Sequence, residues 1–351
     1  MTDLLELAEQ LCAVPSVSGN EAALADLVEA RLRDRAAGLE VVRVGANVVA
    51  RTQRRGRERI VLGGHLDTVP PNDNATPRRD GDTLHGLGST DMKGGLAVML
   101  RLAESCATGT GDRDATFVFY DGEEIADAHN GLRRLFAERP DLVAGDLAIL
   151  LEPTHGWIEA GCQGTIHVRV VFNGARSHSA RPWMGVNAVH RAAPLLARVA
   201  AHEAPVVTVD GLAYRESLQV VRVAAGIANN VVPDRCEIIV NRRYAPACSF
   251  DDALAQTTAM FADADEVEVV SASPAAAPNL AHPLIAGLID AGNLRVRPKF
   301  GWTDVARFTQ HDIPAVNFGP GDPELAHTAG EQLQRSDIEL CFEVLSKFVS
   351  A

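Results

Sequence analysis

The stretch Gly63-Gly64-His65-Leu66-Asp67-Thr68-Val69-Pro70 follows the apolar run Ile60-Val61-Leu62, so it marks the carboxyl end of a buried strand. In extended chain the side chains of His65 and Asp67 point to the same side, because they are two residues apart. A metal-binding histidine usually needs a carboxylate or carbonyl to fix its orientation. A His-x-Asp pair alone is more often a structural hydrogen bond, so its meaning depends on the rest of the chain.

Further carboxylates follow other predicted strands. The apolar runs 115–120 and 147–151 end in Glu123-Glu124 and in Glu152. Strands that alternate with helices predict an α/β fold, with a mainly parallel sheet covered by helices on both sides. Because ligands collect at the carboxyl ends of parallel strands, these side chains are candidates for one site.

The pattern changes near residue 165. Residues 166–172 alternate apolar with polar or basic side chains, and the later elements follow the order strand–helix–strand–strand–helix–strand. That order is typical of the ferredoxin-like α+β fold. We therefore predict an inserted domain at 165–273 and a catalytic domain formed by 1–164 and 274–351. Within the catalytic domain, 39–51 reads as a strand-like run and 71–90 as a loop.

Composition narrows the function classes. The net charge of −13 argues against nucleic acid or an anionic membrane as a partner. No apolar run is long enough to cross a bilayer, and the acidic start does not resemble a signal peptide. Six cysteines without paired spacing indicate free thiols in a reducing compartment. We expect a cytoplasmic protein.

The motifs together resemble one family. They are Gly64-His65-Leu66-Asp67-Thr68-Val69-Pro70, Gly88-x-x-Asp91-Met92-Lys93-Gly94, Glu123-Glu124, Glu152-Pro153 and a late His327. Each is weak alone, but their combination resembles the co-catalytic zinc amidohydrolases, which include acetylornithine deacetylase, aminoacylases and some carboxypeptidases. The finer pattern at 119–125, 159–165, 299–304 and 318–323 is similar to actinobacterial members that act on N-succinyl-LL-2,6-diaminopimelate.

The resemblance implies two Zn²⁺ ions per chain, with Co²⁺ able to substitute. Two zinc ions about 3.5–4 Å apart need a bridging carboxylate, and Asp91 matches that position. His65 and Glu152 would complete one site, and Glu124 and His327 the other. The resemblance also implies a cis peptide between Asp91 and Met92.

Three residues are implied to be catalytic. Glu123 would take a proton from water and pass it to the leaving amine. Asp67 would shape the site beside His65. His178 lies in the inserted domain, where it would be an ordinary loop histidine on sequence alone. The resemblance implies instead that this domain mediates homodimerisation, acts as a lid, and carries His178 into the partner's active site.

Substrate contacts follow from the same resemblance. They fall on Arg181, Asn230, Arg243, Thr303, Arg307 and Gly321. Arginine suits a substrate with several carboxylates, because its planar fork pairs with them bidentately. For Arg181 and Arg307 an ordinary ion pair remains an equal alternative.

The expected activity is hydrolysis of the amide of N-succinyl-LL-2,6-diaminopimelate to succinate and LL-2,6-diaminopimelate, on the route to lysine and peptidoglycan precursors. The small-molecule substrate would be an anionic N-acyl amino acid. Two alternatives stay open among enzymes: another N-acyl-amino-acid deacylase similar to acetylornithine deacetylase, or a zinc carboxypeptidase. A metal-free binding protein that kept the fold is the alternative from another class.

Overall fold

The structure is a computed structural model that describes residues 3–54, 58–109 and 111–351. It divides into two compact units. The first comprises 1–160, 279–297 and 307–351, and the second comprises 161–278 and 298–306. The predicted inserted domain, 165–273, begins and ends within a few residues of the range 161–278. The segment 298–306, which was predicted to belong to the catalytic domain, is part of the second unit. The roles given to the two domains remain proposals.

Helices and strands alternate through the first part of the chain. The α-helices are α1 (Leu4–Cys12), α2 (Ala22–Arg35), α3 (Gly94–Thr108), α4 (Gly131–Glu138), α5 (Ala188–Ala200), α6 (Phe250–Ala259), α7 (Pro283–Gly292), α8 (Val305–Thr309) and α9 (Arg335–Ser350). The strands are β1 (Glu40–Val44), β2 (Asn47–Arg51), β3 (Arg59–His65), β4 (Arg78–Asp80), β5 (Thr83–His85), β6 (Asp114–Tyr120), β7 (Leu147–Leu150), β8 (Ile158–Ala160), β9 (Gly164–Asn173), β10 (Val206–Val209), β11 (Leu212–Arg215), β12 (Ser217–Ala225), β13 (Arg235–Tyr244), β14 (Glu266–Ser273), β15 (Val296–Pro298), β16 (Ala315–Asn317) and β17 (Gln332–Gln334).

The first unit is built on an eight-stranded sheet in the order β1-β2-β6-β3-β7-β16-β8-β15. Its centre is parallel, since β3 pairs in parallel with β6 and β7, and β7 with β16. The strands β2 and β8 join this centre antiparallel. Residues 60–65 of β3 and all of β6 and β7 are buried, as expected for central strands covered on both faces. The predicted α/β class with a parallel central sheet is confirmed.

Two local predictions in this unit are wrong. The run 39–51 is not one strand but the hairpin β1–β2, because Gly45 has a φ of 63° and turns the chain after Val44. The predicted loop at 71–90 contains β4 and β5, which form a small sheet with β17. Their partner lies near the end of the chain, so the local pattern of polar residues did not reveal them.

The second unit has the ferredoxin-like arrangement that the order of elements predicts. Its sheet has the order β12-β13-β9-β14, and the paired strands are antiparallel. Ile166, Val168 and Val170 are buried in a core with α5 residues, whereas His167 and Arg169 on the opposite face are partly exposed. The hairpin β10–β11 was not predicted from sequence.

A tight backbone contact holds the strand end that carries Glu152. A Cβ atom built at Gly319 would clash with the carbonyl oxygen of Leu151 and lie 2.5 Å from that of Glu152. Because both are backbone atoms, Gly319→Ala is expected to lower the free energy of unfolding by about 1–3 kcal/mol. Urea unfolding followed by circular dichroism would measure the change.

Gly287→Ala is the matched control for that substitution. Gly287 lies in α7, and the nearest atom to an added Cβ is a Phe348 ring carbon at 3.7 Å. This variant is expected to be unchanged or more stable by up to about 1 kcal/mol, since alanine is the better helix former. Equal stability of Gly319→Ala and the native chain would contradict the close contact.

The described part of the chain contains no helix with the length and apolar character needed to cross a membrane.

Candidate active site

His65 ends β3 with its imidazole buried at the carboxyl edge of the sheet. Its Nδ1 lies 3.0 Å from the backbone carbonyl oxygen of Asp67, and its Nε2 lies 3.1 Å from Oδ1 of Asp91. A second carboxylate oxygen, Oε1 of Glu152, is 4.0 Å from Nε2. If Nδ1 carries the proton and donates it to the carbonyl, Nε2 is left free to bind a metal ion.

Asp67 joins this strand end to the Glu123-Glu124 pair. Its Oδ1 accepts a hydrogen bond from the backbone N–H of Glu123, and its Oδ2 accepts one from Glu124, both at 3.0 Å. The hydroxyl of Ser18 donates to Oδ2 at 2.7 Å. Burial acts to raise the pKa of Asp67, but the nearby imidazole and these donors lower it to about 2. Asp67 is therefore an anion that holds both glutamates in place.

Asp91 and His327 meet from distant parts of the chain. His327 Nε2 lies 2.8 Å from Oε1 of Glu124 and 3.3 Å from Oδ2 of Asp91. His65 lies on the other oxygen of Asp91, so this carboxylate faces two imidazoles at once. The peptide between Asp91 and Met92 is cis, as the resemblance implied.

The pKa shifts of His65, Asp91 and His327 indicate that this part of the molecule stabilises positive charge. Hydrogen bonds to Asp91 and Glu124 raise the pKa of His327 to about 10. Burial acts to lower the pKa of His65, but the surrounding carboxylates raise it well above its usual value. Burial acts to raise the pKa of Asp91, yet the two histidines lower it. The same carboxylates would stabilise a metal cation.

Three groups of described residues could hold a metal ion, with the ligand atoms of each group within 4.8 Å of one another. They are His65–Asp91–Glu152, His65–Glu123–Glu124 and Asp91–Glu124–His327. The first and third share only Asp91, which fits a carboxylate between two ions. Imidazole nitrogen and carboxylate oxygen are ligands that zinc accepts. The donor set therefore fits two metal ions. Because Glu123 belongs to the second group, it is an alternative metal ligand.

Four of the six predicted substrate residues lie in the second unit. Arg181 and Asn230 are exposed and close to His178. The backbone N–H of Arg181 donates to the carbonyl oxygen of His178 at 2.7 Å. The backbone N–H of Ser179 donates to the carbonyl oxygen of Asn230 at 2.9 Å. Thr303 is buried, and its carbonyl faces the thiol of Cys162.

Arg243 lines a cleft in the second unit with Gln163, Ser217 and Phe300. Burial lowers the pKa of Arg243. Its guanidinium has no hydrogen bond or ion pair with any residue in the described ranges. An unpaired, partly desolvated guanidinium suits an anionic ligand.

The other two predicted substrate residues lie in the first unit. Arg307 is buried and donates to Oδ1 of Asp127 at 2.7 Å, so it is engaged in an ion pair with the segment that follows Glu124. Gly321 has a φ of 92° and lies against Thr90, next to the Asp91 loop.

His178 has a defined hydrogen-bonding state in its loop. Its Nδ1 lies 3.0 Å from the backbone N–H of Ala180, which can only donate. Nδ1 is therefore an acceptor, and the neutral imidazole carries its proton on Nε2. The side chain is exposed, so its Nε2–H is available to a ligand.

Sequence reasoning missed two supporting residues. Ser18 lies in the segment between α1 and α2, and its hydroxyl donates a hydrogen bond to Asp67. Glu331 lies near the end of the chain, and its carboxylate accepts hydrogen bonds from the Asp91 loop. Neither lies in a motif with a chemical signature, and both act across more than 45 residues of sequence.

Carboxylates and imidazoles gathered at the carboxyl edge of a parallel sheet are typical of metal-dependent hydrolases. The model of peptidase family M20/M25/M40 matches residues 61–351, and the chain belongs to that family. The predicted membership of a metal-dependent amidohydrolase family is thereby confirmed.

Curated relatives match along the full length. A protein of Mycobacterium tuberculosis, provisionally named succinyl-diaminopimelate desuccinylase, is 47% identical over 348 residues, which cover 99% of this chain and 98% of the relative. Succinyl-diaminopimelate desuccinylase of Corynebacterium glutamicum is 43% identical over 355 residues, with 99% and 96% covered. The chain is similar to these proteins from end to end.

Solved structures share the fold. The aminopeptidase PepT of Bacillus cereus superposes with a TM-score of 0.80 at 20% identity, covering 99% of this chain and 97% of that one. The Bacillus subtilis YXEP protein, described as a dinuclear metal-binding peptidase from the M20 family, has a TM-score of 0.73 at 16% identity, with 99% and 96% covered. At these identities the likeness concerns the fold alone.

Proposed function

We propose that this chain hydrolyses the amide bond of N-succinyl-LL-2,6-diaminopimelate to succinate and LL-2,6-diaminopimelate. The observation that carries the proposal is the end-to-end similarity, at 43% and 47% identity, to relatives named for that activity. The expected place of this reaction is the cytoplasm, in the synthesis of lysine and peptidoglycan precursors.

The proposed cofactor is a pair of Zn²⁺ ions, with Co²⁺ as a substitute. His65, Asp91 and Glu152 would hold one ion, and Asp91, Glu124 and His327 the other. Bound zinc would lower the pKa of a water molecule towards about 7 and polarise the amide carbonyl. The overlap of two ligand groups at Asp91 supports this arrangement.

Glu123 is the proposed general base. It would accept one proton as the water oxygen bonds to the amide carbon, and it would deliver that proton to the nitrogen as the C–N bond breaks. Asp67 supports this role by binding the backbone N–H groups of both Glu123 and Glu124, which directs the two side chains separately.

The substrate carries several carboxylates, and the unpaired Arg243 is the strongest candidate to bind one of them. Arg181 and Asn230 stay candidates in the His178 loop, as do Thr303 and Gly321. The ion pair between Arg307 and Asp127 favours a supporting role for Arg307 over direct substrate binding.

A substrate panel with the zinc-loaded protein tests the proposed activity. N-succinyl-LL-2,6-diaminopimelate should be hydrolysed with the highest kcat/KM. Acetylornithine and a series of dipeptides that differ in their C-terminal residue should be hydrolysed with lower values. A preference for acetylornithine would favour the deacylase alternative, and release of C-terminal amino acids would favour a carboxypeptidase. Absence of bound metal by elemental analysis, together with no turnover, would favour a binding protein that kept the fold.

A homodimer through the second unit is also proposed. Its edge strand β12 pairs on one side with β13 and exposes residues 221–225, including Val221 and Val223 at 56% and 50% exposure. Exposed apolar edge strands are suited to pairing with another chain.

Within that dimer, His178 is expected to act in the partner's active site. Its Nε2–H would donate to the carbonyl oxygen as this atom gains negative charge, so His178→Ala should reduce kcat by about 10²–10³-fold. Mixed with Glu123→Gln chains, unfolded and reassembled, His178→Ala chains should regain activity. In the heterodimer, one active site then lacks both the Glu123 carboxylate and the His178 imidazole, and the other active site contains both.

Two controls make the mixing experiment decisive. Each inactive variant is carried through refolding alone, and heterodimers are quantified with two different affinity tags. Heterodimers that form but stay inactive would contradict action in trans, because each site would then retain one defect.

A further inference from the structure

The chain that follows His327 is bonded to the loop that carries Asp91. The hydroxyl of Thr90 donates to the carbonyl oxygen of Gln332 at 2.6 Å. The strand β17 continues the contact by pairing antiparallel with β5. Two ligands proposed for the same metal ion, one early and one late in the sequence, are therefore held by a common backbone framework.

Glu331 lies at the centre of this framework. Its side chain is buried, with the residue only 2% exposed, and its Oε1 accepts the backbone N–H groups of Thr90 and Asp91, both at 3.0 Å. Successive N–H groups that converge in this way form a site for an anion. The backbone is irregular here, since Asp91 and Met92 have non-helical φ and ψ angles. The N–H groups of Thr90 and Asp91 stand at the start of the helical stretch Ser89–Lys93, where no earlier carbonyl of the helix can accept them, so Glu331 supplies the acceptor.

The orientation of Asp91 depends on this backbone. Its Oδ1 is 3.1 Å from His65 Nε2, and its Oδ2 is 3.3 Å from His327 Nε2, so a rotated 90–91 peptide would lose one of the two contacts. We infer that Glu331 is a positioning residue that holds the backbone of Thr90 and Asp91 so that the Asp91 carboxylate faces both proposed metal positions. The inference rests on the proposed metal centre.

Zinc affinity provides the test. Glu331→Ala is expected to bind zinc about 10–100-fold more weakly than the native chain, the usual cost of removing a partner that orients a ligand. The measurement is zinc uptake at free concentrations set by a chelator, with folding checked by circular dichroism. Glu343→Ala is the control, because Glu343 is an exposed α9 residue paired with Lys347. It should match the native affinity.

Glu331→Gln separates positioning from mere folding. It keeps an acceptor oxygen but loses the charge, and charge-assisted hydrogen bonds are about twice as strong as neutral ones. Its zinc affinity should fall between those of the native and alanine chains. A purely structural role would lower the melting temperature of the metal-free protein and leave zinc affinity unchanged.

The outcomes distinguish this inference from the proposed function. Native zinc affinity in folded Glu331→Ala would overturn the inference alone, and if that variant does not fold, native affinity in Glu331→Gln would do so. Failure of the native chain itself to take up zinc would overturn the metal centre and the inference with it.

Discussion

Glu123→Gln is expected to lose about 10²–10⁴-fold in kcat while it keeps two zinc ions per chain. The amide is nearly the same size as the carboxylate but cannot accept a proton from water. The backbone contact between Glu123 and Asp67 does not involve the altered side chain, so the local fold should persist. Hydrolysis of N-succinyl-LL-2,6-diaminopimelate gives kcat, and elemental analysis gives the zinc content.

The neighbouring residue is the matched control. Glu124→Gln should lose zinc and activity together, because Glu124 lies 2.8 Å from His327 in the proposed second metal site. The geometry also allows Glu123 to join His65 and Glu124 around an ion. Loss of zinc from Glu123→Gln would therefore assign Glu123 as a ligand and contradict its role as the base.

Asp91→Ala is expected to empty both metal positions and to reduce hydrolysis to background. Asp91 is shared by two ligand groups, so its removal leaves each of them with two protein ligands instead of three. It also leaves His65 and His327 without the carboxylate that both of them face. Zinc content and turnover should fall together across a range of free zinc concentrations.

Asp80→Ala controls for the loss of an aspartate elsewhere. Asp80 is exposed in β4 and forms a surface ion pair with Arg78, so its removal should leave zinc content and kcat unchanged. Full occupancy of both metal positions in Asp91→Ala would rule out the bridging role. Loss of a single ion would show that Asp91 serves only one of the two positions.

The sequence by itself determined the features that depend on local periodicity. The apolar run before His65 predicted the carboxyl end of a buried strand, and the alternation at 166–172 predicted a strand with one buried face. The order of elements in the inserted domain predicted its ferredoxin-like sheet. The candidate ligands His65, Asp91 and Glu152 were also named from sequence, because the family resemblance linked motifs whose individual signals are weak.

Only the tertiary structure decided which of these residues touch and what supports them. The carboxylate of Glu331 and the N–H of Asp91 are 240 residues apart, and Arg307 is 180 residues from Asp127. Side chains at such separations meet only after the sheet has formed, and a lone glutamate or arginine carries no local signal of its partner. The pairing of β17 with β5 was hidden for the same reason. The local sequence pattern specifies which segments form helices and strands, whereas long-range packing specifies which side chains contact and position the residues of the site.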